Sequence, residues 1–163
     1  MQPSKKAAIV TMKINQRRLT KKKGDKAMKI SDTVKKCLQA ESKANLLATS
    51  DKSGKVNVAM FGSYQLMDDS SALVMLGDNR SFSNLKENPQ AACIVMLHGK
   101  TGMATEGCRL YMKVRTIQDE GEKFNEVKEK IRARIGGGAD ILMHLVLFDI
   151  VEARPILDFG QGI

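Results

Sequence analysis

The chain has 163 residues, 42% of them hydrophobic, and a net charge of +9. That length suits a single domain with its own core, and no apolar run approaches the ~20 residues of a membrane span. The charge argues against a nucleic-acid binder once it is located: residues 1–27 hold nine Lys or Arg and one acid, so the remainder carries a net of only +1.

The basic segment has no persistent helical or strand period. Its longest apolar run, Ala7-Ala8-Ile9-Val10, is too short for an export signal. Three readings stand for it: a disordered basic arm touching acidic partners, a poor organellar transit peptide, or residues upstream of a start at Met28. Charge runs are usually solvated. Residues 1–27 are therefore read as an extension to a domain spanning 28–163. Cys37, Cys93 and Cys108 are odd in number and lack CxxC spacing, which fits reduced thiols and a cytoplasmic setting. Two histidines, His98 and His144, are too few and too scattered to predict a zinc site.

In chain order, Ser31 and Asp32 are positioned to cap a helix whose Ile30, Val34, Cys37 and Leu38 share one face. Leu46-Leu47-Ala48-Thr49 reads as a buried strand and Asp51-Lys52-Ser53-Gly54 as a hairpin turn. In the returning strand, Val56, Val58 and Met60 alternate with Asn57, Ala59 and Phe61, leaving one face apolar throughout. A second hairpin follows, from Tyr64 to Leu76 around Asp68-Asp69-Ser70-Ser71. Residues 91–97 form a continuously apolar run that predicts a central strand buried on both sides. A strand over 109–116 has one wet face, an amphipathic helix carries Phe124, Val127, Ile131 and Ile135 up to three glycines, and residues 144–151 make the last long strand. Tight turns between most strands predict a mainly β, α+β domain: an antiparallel barrel of about six strands with peripheral helices. Small barrels fill their interiors with side chains, so a large ligand must bind outside or at an interface.

Between the second hairpin and the central strand lies Leu73-Val74-Met75-Leu76-Gly77-Asp78-Asn79-Arg80-Ser81-Phe82-Ser83-Asn84-Leu85-Lys86-Glu87-Asn88-Pro89, read as strand, glycine turn and short helix stopped by proline. The first turn of a helix leaves N–H groups without internal partners, and these attract anions. Arg80 adds a guanidinium fork and Ser81 a hydroxyl, both suited to phosphate oxygens. Taken alone, the same pattern also describes a capped helix with Ser81 as N-cap.

This order of parts, from about Ile30 to Val151, resembles the FMN-binding split-barrel superfamily, the group named for pyridoxamine 5'-phosphate oxidase. The most specific portion is Arg80 to Ala91, with its basic-hydroxyl turn, Asn-Leu on the helix and Asn-Pro stop; the hairpin Gly54 to Phe61 is similar to the strand that lies along the flavin. The resemblance implies an antiparallel six-stranded split β-barrel with peripheral helices, and a homodimer holding FMN between subunits. Arg80 and Ser81 would bind the FMN phosphate, with Asn84 supporting the loop. Gly77, Asp78 and Asn79 would approach the phosphate and ribityl chain mainly through backbone. Ala59, Met60 and Phe61 would present backbone groups and edges to the ring. The implied role is that of a flavoprotein oxidoreductase or electron carrier. The chain ends without the basic C-terminal substrate motif of the oxidase proper, so oxidation of pyridoxamine phosphate itself is not expected. Three alternatives are a related barrel carrying haem, with His98 or His144 as the axial ligand, one carrying a deazaflavin, and a nucleic-acid binder working through the basic arm.

Overall fold

The computed structural model describes residues 27–163. The expected basic arm, apart from Ala27, lies outside the described residues. Helix α1 (Asp32–Gln39) starts where Ser31 Oγ accepts the Val34 N–H at 3.3 Å, and it buries Val34, Cys37 and Leu38 as the spacing predicts. It is followed by β1 (Lys43–Ser50), β2 (Val56–Met60), β3 (Gln65–Asp68) and β4 (Ser71–Leu76). Then come α2 (Arg80–Glu87), β5 (Gln90–Leu97), β6 (Gly107–Gln118), α3 (Glu122–Ile135) and β7 (His144–Pro155). The strands number seven rather than six; the short edge strand β3, the first arm of the second hairpin, pairs only with β4.

All pairs are antiparallel, and the sheet runs β2-β1-β5-β6-β7-β4-β3. Its two edge strands, β2 and β3, are neighbours in the chain, joined only by residues 61–64. Seven strands laid flat would hold their edges roughly 29 Å apart, whereas the link can reach only about 17 Å. The sheet must therefore curl, and the barrel is split along the seam between β2 and β3. Ser63 fastens the link: its Oγ donates to the Met75 carbonyl at 2.9 Å and accepts the Met75 N–H at 3.1 Å.

The concave side gathers Leu47, Val74, Cys93, Leu110 and Phe148 into one core, closed by α1 and by Phe82 and Leu85 of α2. Cys37, Cys93 and Cys108 are free thiols buried there, and burial pushes the Cys93 thiol up to about 12. A second core lies on the convex side, where Phe124, Val127 and Ile131 of α3 cover Leu73, Met75 and Leu145.

Only part of the convex side is covered by α3, and that settles one point differently from the sequence reading and decides another that it left open. The strand buried along its whole length is β4, not β5. Strand β5 does lie inside the sheet, but its outward Ala92, Ile94 and Met96 stay half-buried because no helix crosses them. The apolar stripe of β2 also faces outward: Val56, Val58 and Met60 are 73%, 60% and 66% exposed, while Asn57 and Ala59, paired with Thr49 and Leu47, turn inward.

Candidate functional site

The turn after β4 is shaped by close packing. A Cβ on Gly77 would sit 2.5 Å from the Ile141 carbonyl oxygen in the 3-10 turn (Gly136–Ile141) that follows α3, so only glycine fits there. Asn79, not Ser81, is the N-cap of α2: its Oδ1 accepts the Phe82 N–H at 2.9 Å. The N–H groups of Arg80 and Ser81 have no acceptor among the described residues, as expected in the first turn of a helix. Arg80 is exposed, and its guanidinium has no ion-pair partner among the described residues.

Ser81 and Asn84 are buried and bind the helix to the sheet. Asn57 Nδ2 of β2 donates to Ser81 Oγ at 2.9 Å, and Asn84 Nδ2 donates to Thr49 Oγ1 of β1 at 3.1 Å. The Asn57 contact sets the first turn of α2 beside the start of the open edge strand. Ala59, half-buried Phe61 and exposed Met60 continue along that strand, and Phe61 N–H donates to the Asn45 carbonyl at 3.0 Å. The nine residues singled out in the sequence thus fall on two adjoining segments, 59–61 and 77–84.

Behind the turn lies a group that the sequence did not single out as part of this site. The His144 ring stacks on Phe82 with centroids 3.5 Å apart and planes 5° from parallel. Its Nε2 lies 2.8 Å from Asp78 Oδ1 and its Nδ1 lies 2.7 Å from Asp119 Oδ1. An ionised carboxylate only accepts, so with both acids ionised both ring nitrogens must donate. The Asp78 side chain is thus turned back onto His144. His144 could serve as an axial ligand only by giving up the Asp78 or the Asp119 contact. His98, the other imidazole, is exposed, with Nδ1 2.8 Å from Ser42 Oγ.

With an antiparallel split barrel and a glycine turn leading into a short helix beside its open edge, the chain belongs to the pyridoxamine 5'-phosphate oxidase family, whose profile matches residues 30–156. Solved structures share the fold at low identity. An FMN-binding protein from Syntrophomonas wolfei subsp. wolfei is 22% identical with a TM-score of 0.67, covering 77% of this chain and 84% of that one. HutZ, the haem storage protein from Vibrio cholerae, is 19% identical with a TM-score of 0.59, covering 82% and 100%. An F420 reductase is 15% identical with a TM-score of 0.56, covering 72% and 94%. Among curated proteins, none matches the chain in sequence. No helix among the described residues is long and apolar enough to cross a membrane.

Proposed function

We propose that the protein binds FMN, with the phosphate on the α2 turn and the ring along β2, and works as an oxidoreductase or electron carrier. One observation carries this reading: Asn57 and Ser81 hold against an open strand edge a helix start whose two free N–H groups and arginine have no partner among the described residues. The donor set fits a phosphate dianion, since Arg80, the two backbone N–H groups and the helix dipole all favour negative charge. When bound, FMN would supply the electron or hydride transfer, and the protein would supply binding, orientation and polarity. Arg80 would anchor the phosphate, Asn79 and Asn84 would keep the helix start in place, and Ala59, Met60 and Phe61 would border the ring.

A homodimer belongs to the same reading, and proteins of this family are typically dimeric. The uncovered convex face supports it. Strand register aligns Val58, Ala48, Ala92 and Tyr111 in one row and Met60, Leu46, Ile94 and Arg109 in the next. These rows form an apolar surface running off an unpaired edge, which monomers ordinarily protect.

Haem and deazaflavin binding are the competing readings within this fold. The doubly engaged His144 favours flavin over haem on that ligand. The test is the absorption spectrum of the purified protein, followed by titration with FMN, haemin and F420. FMN uptake giving a flavin spectrum is expected. A Soret band, selective F420 binding, or a colourless protein that takes up none of the three would reject the reading.

A further inference from the structure

A cleft of about 580 Å³ opens at the start of β1, between α1, β3 and the C-terminal end of α3. Asn45, on the inward face of β1, lines it and is 6% exposed. Its Nδ2 donates to the Phe61 carbonyl at 3.4 Å, but its Oδ1 is buried without a donor. Flipping the amide would set oxygen against the Phe61 carbonyl, so the bare acceptor is fixed in place. A buried acceptor without a partner is destabilising unless something supplies a donor.

Three cations line the cleft; Asp69 pairs with Lys35, which leaves Arg134 and Lys43. Arg134, near the end of α3, has no acid partner among the described residues. Lys43 gives one N–H to the Ala40 carbonyl at 2.5 Å. Burial, and then the Arg134 charge, hold the Lys43 ammonium below its usual range. No carboxylate offsets that repulsion, although three line the cleft. Asp69 is paired with Lys35 at 2.8 Å, Asp68 accepts the Ser70 N–H at 2.8 Å, and Glu41 is exposed at the rim.

A second, more apolar pocket of about 240 Å³ adjoins the first, sharing Gly62 and Arg134 and walled by Met60, Phe61 and Ile131. We infer that the two pockets together form a binding site for a small organic anion. Its carboxylate or phosphate would face Arg134 and Lys43, a hydroxyl or amide N–H would donate to Asn45 Oδ1, and an apolar body would lie against Met60 and Phe61. An anion relieves the repulsion between the two cations, and a donor satisfies the bare oxygen, so one ligand answers both defects. Phe61 and Met60 also border the proposed flavin ring. That the anion is the flavin's substrate rests on the FMN reading; that it binds does not.

The test is an NMR titration of the full ¹⁵N-labelled chain, flavin-free and FMN-loaded, with inorganic phosphate, benzoate, 3-hydroxybenzoate and benzyl alcohol. Saturable shifts at Lys43 and Gly62 are expected from at least one anion, with none from the neutral alcohol. Arg134→Gln, on an exposed side chain, is expected to weaken anion binding about ten- to hundredfold. Phosphate binding more tightly than the benzoates would assign the head group as phosphate, and the reverse order as carboxylate. If the benzoates bind, Asn45→Ala is expected to erase the preference for the hydroxylated one. Equal binding of benzyl alcohol and benzoate, unchanged affinity in Arg134→Gln, or no saturable binding by any anion would overturn the inference. Flavin fluorescence reads FMN uptake separately, so a failed flavin reading with Arg134-dependent anion binding leaves this site standing.

Discussion

Asn57 and Ser81, 24 residues apart in sequence, meet at 2.9 Å, and through that contact an edge strand and a helix start become one surface. Asn57 is the second residue of a five-residue strand whose other pairing is with β1 alone. Losing the contact would leave the strand held to the sheet only by its backbone ladder.

Asn57→Ala is therefore expected to lower stability by about 0.5–1.5 kcal/mol, the usual net worth of one hydrogen bond, and to weaken FMN binding although Asn57 has no proposed contact with the cofactor. Urea unfolding together with FMN fluorescence titration measures both. Unchanged FMN affinity would show that the helix start keeps its place without the strand.

Arg80→Ala should behave in the opposite sense. Arg80 is exposed and unpaired, so stability should hold, while FMN affinity should fall by about 1.5–3 kcal/mol if charge-assisted hydrogen bonds to phosphate are lost. Arg80→Lys should restore part of the affinity, because it keeps the charge without the fork. Equal FMN affinity in Arg80→Ala and the parent protein would remove Arg80 from the site.

Gly77→Ala would place a methyl group 2.5 Å from a backbone oxygen. Neither backbone segment is a flexible side-chain end, so relief requires the turn before α2 and the turn after α3 to separate. Destabilisation of about 1–3 kcal/mol is expected, typical of forced overpacking. Calorimetric melting with no loss of stability would contradict that tight approach.

Val58→Lys places a charge on the exposed apolar row of β2. A monomer in sedimentation velocity is expected, against a dimer for the parent protein, with the melting curve little changed because Val58 is 60% exposed in the single chain. An unaltered dimer would move the interface away from β2.

What could be read from the sequence followed the range of the forces involved. The α1 cap at Ser31 and the glycine turn before α2 depend on neighbours within a few residues, and both lie where the sequence indicates. Asn79 displaced Ser81 as N-cap because Ser81 is claimed by Asn57, a partner no local pattern discloses. His144 escaped notice as part of the site for the same reason: the two carboxylates at its ring nitrogens come from positions 66 and 25 residues away. The sides of β2 and β5 that stay open were equally hidden. Alternation tells which residues share a face, but the docking of α3 on β4 and β7 decides which face is covered.

The seam between β2 and β3 also bears on how the chain assembles during synthesis. Strand β4, which carries the glycine turn at its end, has β3 on one side and β7 on the other, and β7 is made last. Until residues 144–155 leave the ribosome, Leu73, Val74, Met75 and Leu76 have only a four-residue strand beside them. Such long-range closure is slow and leaves apolar surface open to aggregation. A chain halted before His144 would have made every residue of the glycine turn yet lack the strand and the imidazole that back it, so the turn and its scaffold mature only when the final strand is inserted.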